Sequence, residues 1–294
     1  MTPAASGVLE ITSEEETPPV RTFSTPQIAL DPRTARGLGI CWHVHHNNMS
    51  MLCSVDKQIT EYFFKVVPPT FLSLLQRKAL VVLFQYWFSA AAEEASVASR
   101  VAVYLKEVKK ATPSLLAFLI NLADDNGNTV LHYSVSHCNY SIVSLLLDTG
   151  VSDVNLQNNA GYTAVMLASL TAPDGPGGME VVRKIMELGN INLRSSQTGQ
   201  TALHLAVRHG RVVMVRLLLS CGADANIQDG QGTTALMFAS ERGHTHIARL
   251  LLERSQCDLT LNDKRGQTAL SIAMRGSHTD TAALLQAHAK ARAL

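Results

Sequence analysis

The chain has 294 residues, 46% of them apolar, which is enough for a sizeable core. Its 25 basic and 24 acidic side chains leave a net charge of +1, which offers no electrostatic footprint for nucleic acid or an anionic membrane. Five scattered cysteines (Cys41, Cys53, Cys138, Cys221 and Cys257) match no disulfide framework and no CxxC pair, which suits a reducing compartment.

Residues 1–66 are expected to be disordered or irregular. The first part carries Pro3, Pro18, Pro19, Pro26 and Pro32 with an acidic run, Glu14 to Glu16, and few large apolar residues to offset the entropy of ordering. Met1 to Glu16 lacks the basic-then-apolar order of a signal peptide. Cys41, His43, His45, His46 and Cys53 invite a zinc reading, but only one residue separates His43 from His45 and no second ligand cluster follows. No metal is expected there.

Pro68–Pro69 mark a boundary. Three helical patterns follow, over Thr70–Ala92, Ala95–Lys109 and Ser114–Leu122, and together they predict a helical cap over 67–123. In the second, Val97, Val101, Tyr104, Leu105 and Val108 recur at helical spacing and leave Lys106, Lys109 and Lys110 toward solvent. Thr112–Pro113 reads as the cap and first turn of the third. Ala79–Ala92 is apolar apart from Gln85 and Ser89, yet it falls short of the roughly 20 residues a bilayer requires. It predicts a buried helix.

From Asp124 onward one pattern returns five times: a glycine, any residue, a threonine, then a small-and-apolar stripe. The threonines are Thr129, Thr163, Thr201, Thr234 and Thr268, at steps of 34, 38, 33 and 34 residues. A period near 33 with a T-x-L-H mark is the ankyrin spacing. The fold expected is therefore all-α, a solenoid of five ankyrin repeats over 124–294 with the N-terminal helical cap. In each unit the glycine permits the tight turn and the threonine hydroxyl caps the first helix. Ala206 and Ala239 let first helices approach closely, and Gly210 and Gly243 separate the two helices of a unit. The second unit inserts Thr171–Gly178 between its helices, lengthening that loop by about four residues; its composition predicts a mobile surface excursion.

Nothing in this pattern carries catalytic chemistry. His132 and His204 occupy the T-x-L-H position, where an imidazole hydrogen-bonds between adjacent turns. Gly175-Pro-Gly-Gly178 lacks the Gly-Lys-Ser/Thr ending of a phosphate loop, and no nucleophile elbow or kinase set is present. The chain reads as a non-enzyme without cofactor. Repeat solenoids bind along the face built from turn tips and first helices. Counting from each threonine, exposed positions include the residue before it (Tyr162, Gln200) and those seven and eight after it. The candidate partner-binding residues are Tyr162, Leu170, Arg208, His209, Glu241, Arg242 and Arg275. Tyr162 is an aromatic at a turn tip, and aromatics and arginines are the usual hot-spot types. The alternative, that Tyr162 only packs on its neighbouring turn, stays open.

Four stretches, Leu119–His137, Asn159–Met166, Leu188–Asn192 and Ala223–Asp229, resemble the ankyrin domain of the Kank family (KN-motif and ankyrin-repeat proteins). The resemblance runs over roughly residues 79 to 288. It implies a cytoplasmic scaffold at the cell cortex and cell–matrix adhesions, associated with the cytoskeleton, with regulation of actin polymerization and with microtubule capture. It also implies that the ankyrin domain grips a short peptide of a kinesin motor. Residues 1–66 contain no stretch like the KN motif through which that family engages talin, and no heptad run stands where its coiled coil binds liprin. A monomer without membrane insertion is expected. The reading from another class is a self-associating structural module with Ala79–Ala92 as the oligomer contact.

Overall fold

The structure is a computed structural model that describes residues 74–293 apart from 112, 172 and 174. The expected irregular segment 1–66, its Cys/His cluster, Pro68–Pro69 and Thr112 lie outside the described residues. Among the described residues there are thirteen helices and one isolated antiparallel bridge, Ala123 to Thr129. Three leading helices come first: α1 (Leu74–Ala91), α2 (Ala98–Ala111) and α3 (Pro113–Ile120). Five pairs follow: α4 (Val130–Ser136) with α5 (Tyr140–Asp148), α6 (Ala164–Leu170) with α7 (Gly175–Leu188), and α8 (Ala202–Arg208) with α9 (Val212–Ser220). The last two are α10 (Ala235–Glu241) with α11 (Thr245–Arg254) and α12 (Ala269–Arg275) with α13 (Thr279–Ala293). This is the all-α solenoid that the repeat period predicts.

Each first helix begins where its threonine dictates. Thr129, Thr163, Thr201, Thr234 and Thr268 all sit in extended backbone, and each hydroxyl accepts the backbone N–H three residues on. Such a cap is worth about 1 kcal/mol. The preceding turn needs glycine. Gly199 has φ +72°, and a Cβ there would meet the Gly230 nitrogen at 2.8 Å, so both backbone strain and a close approach exclude a side chain. Between the helices, Gly210 and Gly243 also take positive φ, whereas the first and last repeats use Cys138 and Ser277 in the same left-handed region. Those two repeats accept a strain that glycine avoids.

First helices pack on first helices from α4 through α12, and second helices pair as α5 with α7, α9 with α11 and α11 with α13. The first-helix seam is lined by Ala168, Ala206, Ala239 and Ala273, all fully buried, each five residues after its capping threonine. In the first repeat that position is Ser134, also buried, and its hydroxyl has no hydrogen-bond partner.

The leading helices are more regular than a generic cap. α1 packs against α4 and α2 against α5, so α1 and α2 take the places of a first and a second helix. Asn139, in the α4–α5 corner, donates to the Ser96 carbonyl of the α1–α2 corner at 2.9 Å. Asn121, just after α3, accepts the Asp153 N–H at 2.7 Å, and this bond recurs down the solenoid as Asn155 to Asn190, Asn192 to Asp224 and Asn226 to Asp258. α3 is then an extra helix placed between α2 and that column. Trp87, fully buried on α1, stacks on Tyr104 of α2 with ring centroids 5.5 Å apart. Burial pushes the Tyr104 phenol up to about 12. Val97, expected in the apolar stripe, instead lies just before α2 and is exposed; Val101, Tyr104, Leu105 and Val108 are buried as the spacing requires.

The inserted segment differs from expectation. Gly175 to Gly178 form the first turn of α7, which runs 14 residues against nine or ten in α5, α9 and α11. Gly178 lies so close to the Tyr140 ring that a Cβ would stand 3.0 Å from it. The last four residues of the insertion are absorbed as helix, where the contact of Gly178 with Tyr140 offsets the loop propensity of the glycines. Among the described residues, no helix is long and apolar enough to cross a membrane.

We propose that residues 67–123 act as the solenoid's N-terminal cap, covering Leu131, Val135 and Ile142. Deleting 67–123 is expected to lower the melting temperature or cause aggregation; unchanged melting of a monomeric truncation refutes the cap. Trp87 Nε1, Tyr104 Oη and Ser134 Oγ are buried and unpaired. Leaving such a group unsatisfied costs about 1–3 kcal/mol. Ser134→Ala and Tyr104→Phe are therefore each expected to leave urea stability unchanged or raise it by up to about 1 kcal/mol, whereas a loss would mean that these hydroxyls are bonded.

Candidate functional site

Turn tips and first helices together form one face, and the sequence-derived residues fall in two rows on it. Leu170, Arg208, Glu241 and Arg275 end α6, α8, α10 and α12, while His209 and Arg242 follow directly as C-caps of α8 and α10. Tyr162 belongs to the other row, at the turn tip before Thr163. A seven-residue helix separates the rows by about 10 Å. In the fifth repeat that gap is bridged: Arg275 Nη1 donates to Gln267 Oε1 at 2.6 Å, and Gln267 holds the register position of Tyr162. The two rows therefore share a surface that one long side chain can span.

Within it, Arg208, His209, Glu241, Arg242 and Arg275 are exposed. Tyr162 and Leu170 are half-buried and pack against the core. The Tyr162 backbone is also pinned: its N–H donates to Asn158 Oδ1 at 2.9 Å and its carbonyl accepts from His132 Nε2 at 3.0 Å. The Tyr162 backbone is thus fixed by its own turn and by the preceding repeat, while the ring packs partly against the core and keeps part of its surface exposed. Gln200, expected at an exposed tip, is buried and its amide donates to Asp229 Oδ2 at 3.4 Å. The neighbouring turn is close enough to engage it.

What fixes the turns is largely histidine and aspartate. The Thr129 N–H donates to His132 Nδ1 at 3.1 Å, and the Thr201 N–H donates to His204 Nδ1 at 3.0 Å. Nδ1 is therefore the acceptor and Nε2 carries the proton. His132 Nε2–H reaches the carbonyls of Leu156 and Tyr162 in the next repeat at 3.1 and 3.0 Å, and His204 Nε2–H reaches Thr233 at 3.1 Å. Each imidazole closes its own helix cap and ties it to the following turn, as the motif implies. In the fourth repeat Met237 takes the position, with its sulfur accepting the Thr234 N–H at 3.4 Å. The turns also bond directly, with Asn159 N–H donating to the Asn126 carbonyl, Gly230 to Thr198 and Lys264 to Gln231 at 2.8–2.9 Å.

The acceptors inside the turns were not singled out from sequence. Asp124, Asn158, Asp229 and Asp263 each stand five residues before a capping threonine, and each side chain accepts backbone N–H groups of its own turn. Their fixed offset was a readable signal. The third repeat uses Ser195, six residues before Thr201, which masks the regularity.

A family model described as ankyrin repeats, in three copies, matches residues 102–193, 153–229 and 213–293. The chain belongs to the ankyrin-repeat family. The first match begins inside α2, in keeping with the repeat-like place of α1 and α2. The nuclear factor NF-kappa-B p105 subunit of Gallus gallus is 34% identical over 136 residues, 45% of this chain and 13% of that protein. The neurogenic locus notch homolog protein 1 of Cricetulus griseus is 32% identical over 126 residues, 38% of this chain and 5% of that protein. The chain thus spans a small share of the length of these curated relatives. Ankyrin repeats are protein-interaction modules, typically non-enzymatic, and the repeats here make a scaffold for binding protein.

The imidazoles also set a pH dependence. Burial lowers the pKa of both His132 and His204 from the ordinary 6.5, against the raising effect of their carbonyl partners. Their neutral forms are the folded forms, since protonating Nδ1 would displace a cap N–H. The stability they contribute is complete above 6.5 and is lost as pH falls through the lowered folded values. The urea midpoint is expected to fall between about pH 7.5 and about pH 5.5, and to fall less in a His132→Gln/His204→Gln variant. An equal fall in both proteins would assign the dependence to other groups.

Proposed function

We propose that the chain is a monomeric, cytoplasmic scaffold that grips a linear peptide across its second to fourth repeats, with Tyr162 as anchor and Arg208, Glu241 and Arg242 as polar partners. The observation that carries this reading is the pair of rows on one face: a partly exposed aromatic packed against the core on a pinned turn, and charges of both signs at the ends of successive first helices. A pre-positioned side chain loses little conformational entropy on binding. Leu170 adds apolar surface beside the charges, while His209 and Arg275 extend the row.

The finer identity rests on the resemblance to the Kank family. We infer a kinesin-type motor segment as the peptide, and a place at the cell cortex, associated with the cytoskeleton, in microtubule capture and regulation of actin polymerization. Truncating a true anchor costs at least about 2 kcal/mol, roughly thirtyfold in Kd. Titration calorimetry of the intact chain with linear, partly helical peptides of a kinesin-type motor is expected to show that loss for Tyr162→Ala and a weakening for Arg242→Ala, with circular dichroism and melting unchanged. Lys290→Ala on α13 serves as the control. Full affinity of Tyr162→Ala would move the anchor elsewhere, and no binding by the intact chain would remove the motor from this reading.

A further inference from the structure

The opposite surface, formed by the second helices, carries an arrangement that peptide binding on the turn-tip face leaves unexplained. Arg183, Arg216 and Arg249 each immediately follow a fully buried residue, Val182, Val215 and Ala248. They therefore share one register on α7, α9 and α11, and all three are exposed. The ion pairs among the described residues are Lys110 with Glu107 and Lys184 with Asp148, so none of these arginines is neutralised by a carboxylate. On α7 the charge of Arg183 is moderated by Glu180 and Glu187 on the same helix. α9 carries no acidic residue, and the single one on α11, Glu253, does not pair with Arg249. Glu253 stands four residues after Arg249 as Glu187 does after Arg183, so the positive charge is least offset at Arg216 and next at Arg249, which has one acidic neighbour on its helix where Arg183 has two.

Two further features adjoin these arginines. Arg216 Nη2 lies 3.4 Å from His246 Nε2, linking α9 to the next repeat. His246 in turn lines a cleft of about 390 Å³ at the corners of the third and fourth repeats, with Val212, His244 and Ile247 around it. Gly210 and Gly243 also line that cleft. Val213 is 59% exposed and stands three residues before Arg216, on the same side of α9. A surface that combines guanidinium groups lacking a carboxylate partner with an apolar side chain and a cleft suits a peptide better than a bare row of phosphates.

We propose that the outward surface of α9 and α11 is a second docking site, taking an extended acidic peptide that places carboxylates on Arg216 and Arg249 and apolar side chains on Val213 and in the cleft. Packed helices lie about 8–10 Å apart. A polyproline-II strand returns every third residue to the same side after about 9 Å, so carboxylates three residues apart match the two guanidinium groups. Such charge-assisted pairs are strengthened when bidentate, which arginine allows.

The test uses the full chain and a fluorescein-labelled peptide of repeating Glu-Ser-Leu units, read by fluorescence polarization. Binding is expected to weaken at least about tenfold in Arg216→Glu/Arg249→Glu and with the Gln-Ser-Leu peptide, and measurably in Val213→Ser. Tyr162→Ala, on the other face, is expected to leave it unchanged, which separates this site from the one proposed above. Melting of the double variant at the wild-type temperature keeps the comparison valid, since both arginines are exposed; if it melts lower, Arg249→Gln alone is expected to weaken binding by several-fold. Equal affinity of the wild type and these variants overturns the proposal. So does sedimentation with phosphatidylserine vesicles by a protein that ignores the peptide.

Discussion

A seven-residue helix is unstable alone in water, where roughly 12–15 residues are marginal, and every first helix of this solenoid is that short. Its existence depends on what holds its two ends and what lies beside it. The threonine hydroxyl and, in two repeats, a neutral imidazole close the N-terminal end; fully buried alanines allow neighbours to cover the flanks. The turn bonds from one repeat to the next then fix the spacing at which those flanks meet. Cap, turn and seam are one cooperative unit, and removing any of them exposes the others.

The same constraint accounts for the binding surface. Since most positions of each first helix are buried against its neighbours, exposure concentrates at its ends: the two residues closing the helix and, at Tyr162, part of the tip before the threonine. Tyr162 and the Arg208, Glu241 and Arg242 group occupy those ends. The second helices obey a looser rule, with one buried stripe and an outward side, and there Arg216 and Arg249 stand in register because Val215 and Ala248 do. Two faces of one scaffold thus carry different chemistry.

The N-terminal layer shows how far the pattern can drift and still stack. α1 and α2 lack the glycine–threonine turn, but α1 meets α4, α2 meets α5, and Asn121 continues the asparagine column. Three of its buried polar atoms, on Trp87, Tyr104 and Ser134, remain unpaired, and Ser134 stands where four later repeats have alanine. This seam is less complementary than those that follow it, as expected where a repeating element meets a layer of different sequence.

Much of the fold was legible in the sequence because its determinants are local. Thr129, Thr163, Thr201, Thr234 and Thr268 cap helices through bonds spanning three residues, and the turn glycines answer a steric rule of their own backbone; a fixed period exposes both. The register of Arg208, Glu241 and Arg275 followed from the same count. What only the tertiary structure decided involves neighbours distant in the chain. The Thr171–Gly178 insertion looks like a loop by composition, yet its Gly175–Gly178 part begins α7, where Tyr140, more than thirty residues earlier, gives Gly178 a surface to pack on. Gln200 looks like an exposed tip, yet Asp229 of the next turn takes its amide into the interior. Whether Tyr162 is free or packed stays open in the sequence; in the structure His132 holds its carbonyl and the core holds part of its ring. Spacing along the chain determines which residues share a face; how deeply each one lies there depends on the partner that stacking brings against it.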